Sequence, residues 1–217
     1  MSFTDHPGRL ITFEGGEGSG KSTQLTRLAA RLRGRGLAVV TTREPGGCPV
    51  AEEIRHWLLR GKPGAITVKT ELLLMLAARV EHVHQVIEPA LRQGAWVLCD
   101  RFLDSTLAYQ GYGRGMELAA LHHWHAWALG TLLPHRTLLL DLEPAVGLAR
   151  AGGVVPTGQQ RDRFEQEDLA FHHRVRAGFR ALAEAAPGRF RLIDATAGLE
   201  QVEQQIGVAI HDLFADT

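Results

Sequence analysis

Cysteine and lysine are both scarce in this chain of 217 residues. The two cysteines, Cys48 and Cys99, are too few to suggest a disulfide framework, which favours a reducing compartment. Lysine supplies only Lys21, Lys62 and Lys69 among 24 basic residues, and these are balanced by 24 acidic ones. A net charge of zero gives no global field that would attract a nucleic acid or an acidic membrane, so any anion site must be built locally.

Long apolar runs are also lacking. The longest, Leu72–Ala78, is far too short to span a bilayer, and the first eight residues carry no apolar signal region. We therefore expect a cytoplasmic protein without a membrane partner. The length and the 45% hydrophobic content predict a single domain, residues 1–217, that is large enough to bury a core.

The most informative pattern is a glycine-rich stretch that follows the apolar run Leu10–Phe13 and precedes a helical pattern. It reads G-x-x-x-x-G-K-[ST], a loop whose backbone N–H groups cradle phosphates at the positive end of the next helix. We expect Lys21 to reach the β- and γ-phosphates and Ser22 to ligate Mg²⁺. The expected ATP-binding residues of this P-loop are Gly15, Gly16, Glu17, Gly18, Ser19, Gly20, Lys21, Ser22 and Thr23.

Strand and helix patterns alternate along the chain. The predicted strands are Leu10–Phe13, Leu37–Thr42, Ala95–Cys99, Thr137–Leu142 and Phe190–Ile193. After the helix that follows the P-loop, the predicted helices are Ala51–Arg60, Thr70–Ile87, Ser105–Gln110, Glu117–Leu129, Pro144–Arg150, Arg161–Ala185 and Leu199–Phe214, with loops over 111–115 and 152–160. This alternation predicts an α/β protein with a P-loop NTPase fold, in which helices flank both faces of a parallel sheet.

Charged residues gather at the predicted carboxyl ends of the strands, where parallel sheets bind ligands. Asp100 is expected to hold Mg²⁺; the alternatives are a helix N-cap or an ion pair with Arg101. Arg43, Arg79 and Arg101 lie on three segments near the same edge, and an arginine fork suits a phosphate dianion. For each arginine the alternative is a solvated surface residue. One phosphate site on the P-loop and a second on arginines are what a phosphoryl donor and a phosphorylated acceptor require.

Three alternative interpretations concern the P-loop and a cluster of histidines. A GTPase switch is disfavoured, because neither D-x-x-G nor N-K-x-D follows the P-loop. A non-catalytic ATP-binding module stays open, since a P-loop proves binding and not turnover. His122, His123 and His125 offer two metal ligands one helical turn apart, but no cysteine or carboxylate lies near them in sequence, so we prefer a solvated or interface helix.

Four blocks of sequence resemble the thymidylate kinase family, and the resemblance covers essentially the whole chain. They are Phe13–Thr23, Thr42–Gly47, Asp100–Phe102 together with Ser105–Gly111, and Asp162–Glu165. The second and third blocks separate this family from adenylate, guanylate and shikimate kinases. The resemblance implies transfer of the γ-phosphoryl group of ATP to dTMP, with Mg²⁺ required. The alternative enzyme is a nucleoside monophosphate kinase of broader base range.

The resemblance also implies roles for individual residues. Arg43 and Arg101 would bind the dTMP phosphate, and Glu17 would approach the 3′-hydroxyl. Arg79 would contact thymine and the adjoining phosphate region. Residues 194–196 would lie near the adenine of ATP, which adds Ala195 to the ATP-binding residues. The expected metal ligands are Ser22 and Asp100, and the expected dTMP-binding residues are Glu17, Arg43, Met75, Arg79, Arg101, Ser105, Tyr109 and Gln110.

A lid is implied by one departure from the family pattern. Some members carry a P-loop arginine where this chain has Gly18, so the resemblance is to the bacterial type, which supplies that arginine from a mobile lid, here residues 150–163. Arg163 is expected to anchor the start of the following helix. The expected catalytic residues are Lys21, Arg101, Arg150 and Arg161.

Other departures concern the base pocket and the surface. Met75 stands where the family usually has a phenylalanine that stacks on thymine. Family members are homodimers, and Trp57, Trp124 and Trp127 are candidates for either the core or a dimer surface.

Overall fold

A parallel sheet of five strands forms the centre of the protein, as seen in a computed structural model that describes residues 6–154 and 162–214. The strands are β1 Arg9–Glu14, β2 Val39–Arg43, β3 Trp96–Asp100, β4 Arg136–Asp141 and β5 Phe190–Asp194. They lie in the order β2-β3-β1-β4-β5, so β1, which leads into the P-loop, is central. The predicted fold class is confirmed.

Helices connect these strands. They are α1 Lys21–Arg33, α2 Pro49–Leu59, α3 Val68–His82, α4 Glu88–Arg92, α5 Leu103–Thr106, α6 Leu118–Leu129, α7 Pro144–Val154, α8 Leu169–Ala185 and α9 Leu199–Ala209. Turns of π-helix, Val83–Ile87 and Leu107–Gly113, extend α3 and α5, and a 3₁₀ turn, His211–Phe214, follows α9. Within the described ranges, no helix combines the length and apolar character needed to cross a membrane.

Successive strand residues point to opposite faces of the sheet, and each face has its own core. Leu10 and Val97 lie on the side covered by α3 and α8, whereas Ile11 and Leu98 lie on the side covered by α1 and α9. Because helices cover both faces, β1 and β3 are almost entirely buried, and β3 is apolar from Trp96 to Cys99. The strands thus hold their polar carboxyl ends together at one end of the sheet.

The predicted start of α8 is wrong. The helix begins at Leu169 rather than at residue 161, because the Asp168 side chain caps it by accepting a hydrogen bond from the Phe171 N–H at 2.6 Å. Residues before this cap form turns in which Asp162 accepts from the N–H groups of Phe164 and Glu165, both at 2.9 Å. Arg161 lies outside the described residues.

Other boundaries also differ from the predicted ones. Helix α7 continues through Val154, into the predicted loop 152–160, whose residues from 155 onward lie outside the described ranges. The predicted loop 111–115 begins within the π-helical turn, and the closing helix ends at Ala209. Pro89 does not stop the helix after α3, because the π-turn before it places the proline in the first turn of α4, where its missing N–H is tolerated.

Candidate active site

A cavity of about 710 Å³ opens at the carboxyl ends of β1, β2 and β3. The structure brings most of the predicted site residues into its lining: Glu17, Gly18, Ser19, Gly20, Lys21, Ser22, Thr23, Arg43, Met75, Arg79, Asp100, Arg101, Ser105, Tyr109, Gln110 and Arg150. Gly15 and Gly16 belong to the same P-loop, and Ala195 lies beside Arg150, whose guanidinium donates to its carbonyl oxygen at 3.1 Å.

The P-loop ends at Gly20, which precedes α1 with a φ of 88° that favours glycine. No side chain in the described ranges caps this helix, and its first turn contains no acidic residue. The start of α1 therefore lines the cavity with no capping side chain over it. A phosphate is the ligand that such a helix end binds.

Lys21 is folded back over this loop. Its ammonium group donates to the carbonyl oxygens of Gly15 at 3.1 Å and Gly16 at 2.7 Å, and to the Ser19 hydroxyl at 3.3 Å. Burial, together with the charge of Arg101, lowers the pKa of Lys21 to about 8. The side chain is thus held in the loop as a cation over most of the neutral range.

The two predicted metal ligands lie side by side. The Ser22 hydroxyl, at the start of α1, donates to the Asp100 carboxylate, at the end of β3, at 2.6 Å. Hydroxyl and carboxylate oxygens are the ligand types that Mg²⁺ prefers. The residues present therefore fit this ion.

Arg101 bridges the loop after β3 and the P-loop. Its guanidinium donates to Glu17 at 2.7 Å and to the Gly15 carbonyl at 2.9 Å, and it lies over the Tyr109 ring at 5.1 Å. Tyr109 donates to the same Glu17 oxygen at 2.8 Å. Burial opposes the charged form of Glu17, but Arg101 and Lys21 outweigh it and lower its pKa to about 2. Glu17 is consequently a fixed hydrogen-bond acceptor in the cavity.

Glu14 holds the residues that follow Arg101, and the sequence analysis did not identify it. It is fully buried and accepts from the Phe102 N–H at 2.8 Å and the Ser105 hydroxyl at 2.5 Å. Arg101 itself has a φ of 68°, a left-handed conformation that is uncommon for arginine. Burial and the nearby charge of Asp104 raise the pKa of Glu14 to about 8.

Arg43 lies at the rim of the cavity, with its side chain 55% exposed. It donates to Glu52 at 2.9 Å, and Glu52 also accepts from the Gly47 N–H at 2.9 Å. Arg55 of α2 lines the same wall and donates to the Pro45 carbonyl at 2.8 Å. Arg55 is a second cation of this wall that no sequence motif pointed to.

Arg79 is buried and rigidly held. It donates to Glu44 at 2.6 Å, to the Thr106 hydroxyl at 2.9 Å and to the Phe102 carbonyl at 3.1 Å. The His125 ring lies 2.7 Å away and accepts a further bond, since arginine only donates. Burial and the charge of Arg79 lower the pKa of His125 to about 3, so the ring is neutral.

This contact gives His125 a structural role. In residues 6–154 and 162–214, no group of three or more His, Cys, Asp or Glu side chains is placed to hold a metal.

Comparison with known proteins settles the family. Residues 13–206 match the sequence profile of the family described as thymidylate kinase. A thymidylate kinase from Magnetococcus marinus is 52% identical over 207 residues, covering 95% of this chain and 97% of that protein. One from Geobacter sulfurreducens is 52% identical over 195 residues, covering 89% and 92%.

The chain belongs to the thymidylate kinase family. A crystal structure of thymidylate kinase from Ehrlichia chaffeensis has the same fold, with a TM-score of 0.74 and 33% identity, covering 93% of this chain and 98% of that one. The family comprises phosphotransferases that convert dTMP to dTDP. This finding disfavours both the broader-range kinase and the non-catalytic module.

The family's P-loop arginine has no room in this chain. A Cβ atom on Gly18 would collide with the carbonyl oxygen of Gly147 in α7, and one on Gly147 would collide with the carbonyl oxygen of Glu17. Gly18 also has a φ of 63°. The P-loop and α7 thus meet backbone to backbone at these two glycines.

Arg163 does not anchor the start of a helix, contrary to the prediction. It is buried, donates to the Leu58 carbonyl at 2.9 Å and pairs with Glu71 at 2.6 Å, because α8 begins later and residue 163 packs against α2 and α3. Glu71, like Glu14, was missed. The signal for both was a carboxylate within an apolar pattern, which implies a buried charge that needs partners.

Proposed function

We propose that this chain transfers the γ-phosphoryl group of ATP to dTMP in the cavity at the carboxyl ends of the strands. One observation carries the proposal. Lys21 and the N-terminus of α1 face the cavity from one side, and Arg43 and Arg101 line it from another. The P-loop side suits the phosphates of ATP, and the arginine side suits a phosphorylated acceptor.

An oxygen of the dTMP phosphate is the nucleophile in this proposal. It bonds to the γ-phosphorus while the bond from that phosphorus to the β-phosphate oxygen breaks, which releases ADP. Because the nucleophile is already anionic, catalysis consists of positioning and charge neutralisation. Lys21 supplies positive charge on the ATP side. Burial opposes the charged form of Arg101, but Glu17 outweighs it and raises the pKa of Arg101, so this side chain stays cationic.

Ser22 and Asp100 would hold Mg²⁺, whose chemistry when bound is to neutralise phosphate oxygens. We assign a further cation to the lid, residues 150–163, with Arg150 or Arg161 in that role. Arg150 lines the cavity. Its guanidinium donates to the carbonyl oxygen of Ala195, a residue that we assign to the adenine side of the cavity.

The acceptor nucleoside is assigned to the deeper part of the cavity. Glu17, as an acceptor, suits the 3′-hydroxyl, and the Tyr109 ring beside it disfavours a ribose 2′-hydroxyl. Arg79 uses four of its five N–H donors within the described structure and retains one for a base oxygen. Met75 and Gln110 complete the base pocket, and Ser105 lies beside Arg101.

We also propose a cytoplasmic homodimer. Trp57 of α2 and Trp127 of α6 are 70% and 76% exposed, Leu73 of α3 is also exposed, and Trp124 packs edge-to-face against Trp127. Large apolar side chains exposed together mark an interaction surface. Cys48 and Cys99 are free thiols in the described structure, which suits a reducing compartment.

The test is an ADP-release assay of the full chain with ATP and Mg²⁺. We expect turnover with dTMP to exceed that with dCMP or AMP, and unphosphorylated thymidine to be inert. Efficient phosphorylation of thymidine, or no preference for dTMP, would contradict the proposal. Light scattering of the wild type and of Trp57→Asp tests the dimer, which should dissociate in the variant.

A further inference from the structure

Glu71 is a buried acidic residue of α3 to which the proposed reaction assigns no role. One of its oxygens accepts from Arg163 at 2.6 Å and from Arg114 at 3.2 Å, and the other accepts from Arg114 at 3.3 Å. Arg114 also pairs with Glu167 at 2.5 Å. A carboxylate that faces two guanidinium groups is anionic, and an anionic carboxylate only accepts hydrogen bonds.

Gln110 is oriented by this carboxylate. Its Nε2 donates to Glu71 at 2.7 Å. Since Glu71 cannot donate, the NH₂ end of the carboxamide must face it and the oxygen end must face away. That oxygen, Oε1, is buried, and no group among the described residues donates to it.

The unpartnered oxygen belongs to a side chain that lines the cavity beside Met75, Arg79 and Thr106. A ligand group that meets Gln110 Oε1 must therefore be a hydrogen-bond donor. Thymine and uracil carry such a donor at N3. Cytosine presents an acceptor at the same ring position, so two acceptors would face each other in a dry site.

We propose that Glu71 is a positioning residue that sets base selectivity by fixing the orientation of the Gln110 carboxamide. The inference rests on the proposed function, because it assigns the base of dTMP to this part of the cavity. A site built to accept from a substrate N–H rejects an analogue that lacks it, since its own buried polar group is left unpaired. Glu71 does this without touching the substrate.

The variant Glu71→Gln tests this role, because its amide must turn one NH₂ group toward a neighbour. On the side of Arg163, that group would face two guanidinium donors. On the side of Gln110, it would face only one guanidinium donor, Arg114 Nε, and a carboxamide that can rotate and accept. Gln110 is then expected to turn its oxygen to residue 71 and its NH₂ group to the cavity.

The experiment measures kcat/KM for dTMP, dUMP and dCMP in the wild type, E71Q, Q110A and the double variant. In E71Q we expect kcat/KM for dTMP and dUMP to fall together by about 10- to 100-fold, and the dCMP to dTMP ratio to rise about tenfold or more. In the Q110A background, E71Q should leave that ratio unchanged, because the rotating group is absent. Glu167→Gln is the matched control, since it removes a charge from the same network without contacting Gln110.

A folded E71Q whose dCMP to dTMP ratio equals that of the wild type would overturn the proposal, as would an equal change in E167Q. If E71Q does not fold, NMR of the dTMP complex decides. A slowly exchanging thymine imino proton that is lost in Q110A supports the assignment, and its persistence in Q110A overturns it. If the wild type does not use dTMP at all, the proposed function has failed before selectivity is tested.

Discussion

The Arg101 guanidinium and the Glu17 carboxylate lie 2.7 Å apart and join the loop after β3 to the P-loop. Glu17 lies four residues before Lys21 in the P-loop, so the pair links the side of the cavity that we propose for dTMP to the side that we propose for ATP. Glu14 holds the same segment by accepting a hydrogen bond from the Phe102 N–H. The position of Arg101 thus depends on two acidic side chains, Glu17 and Glu14, and of these two Glu17 lines the cavity.

Removal of an arginine from the acceptor side should weaken transition-state stabilisation. We expect Arg101→Ala and Arg43→Ala each to lower kcat/KM for dTMP by an amount equivalent to about 2–4 kcal/mol, because a charged partner of a phosphate is lost. Steady-state kinetics checks this. Arg92→Ala, an exposed arginine paired with Glu88, is the control and should retain full activity. If R101A had wild-type kinetics, Arg101 would not be part of the site.

Lys21→Ala should lower kcat by at least about 100-fold while leaving the fold intact. Among the described residues the ammonium group bonds only within its own loop, so its loss would remove charge at the site proposed for the ATP phosphates and little packing. Turnover and thermal unfolding are measured together. Lys69→Ala, on the exposed side of α3, is the matched control. Activity within a few-fold of the wild type would be incompatible with the P-loop assignment.

Met75→Phe should tighten dTMP binding and narrow selectivity toward thymine. An aromatic face beside a planar base adds about 0.5–1.5 kcal/mol, and methionine packs there with less defined geometry. Calorimetric titration with dTMP and dUMP measures the effect. Met75→Leu changes the side chain without adding a ring and should bind no more tightly. Weaker dTMP binding in M75F would mean that the pocket is shaped around methionine.

The contribution of Glu14 to the stability of the protein should fall as pH rises through the neutral range. Burial and Asp104 raise its pKa from 4.5 to about 8. Between these values the unfolded chain has released the proton that the native protein keeps. The free energy of unfolding therefore decreases with pH, by up to about 1.4 kcal/mol per pH unit from this group.

Glu14→Gln removes this contribution, since glutamine keeps the shape of the protonated acid and does not titrate. Urea unfolding between about pH 5 and pH 8 should show E14Q gaining on the wild type as pH rises. Glu53→Gln replaces an exposed carboxylate and should follow the wild type. Parallel curves for E14Q and the wild type would show that Glu14 titrates normally.

The three arginines of the proposed lid, residues 150–163, should respond to truncation in two different ways. Arg150→Ala or Arg161→Ala should lower kcat by orders of magnitude with little change in dTMP affinity, because a lid arginine acts in the transition state. Arg163→Ala should instead lower the free energy of unfolding by about 3–5 kcal/mol, because it leaves Glu71 short of a buried partner. Single-turnover kinetics and chemical unfolding separate the two effects. Unchanged kcat in both R150A and R161A would place the missing cation elsewhere.

The parts of the site that could be predicted from sequence are those encoded by contiguous residues. The P-loop from residue 15 to residue 23 needs only its own glycines and the flanking strand and helix. The sheet followed from alternating patterns, because each buried strand carries its own apolar signal. Lys21 and Ser22 could be assigned roles for the same reason.

The partners of buried charges could not be predicted in this way. Glu71 and Arg163 are 92 positions apart, and Gln110 reaches Glu71 across 39. Such pairs depend on how helices pack, which no local pattern records. The predicted start of α8 was wrong for a related reason. A helical sequence pattern continues upstream of Asp168, but the cap at that residue sets the boundary of the helix.

The contact between Gly18 and Gly147 restricts which substitutions this chain tolerates at these two positions. A mutation that introduces arginine at position 18 meets the backbone of α7 before its charge can reach a phosphate. A change at position 147 alone meets the P-loop in the same way. A side chain at either position therefore requires the P-loop and α7 to move apart. The two glycines thus couple the two segments, so that a substitution at one position is tolerated only with a shift of the other segment.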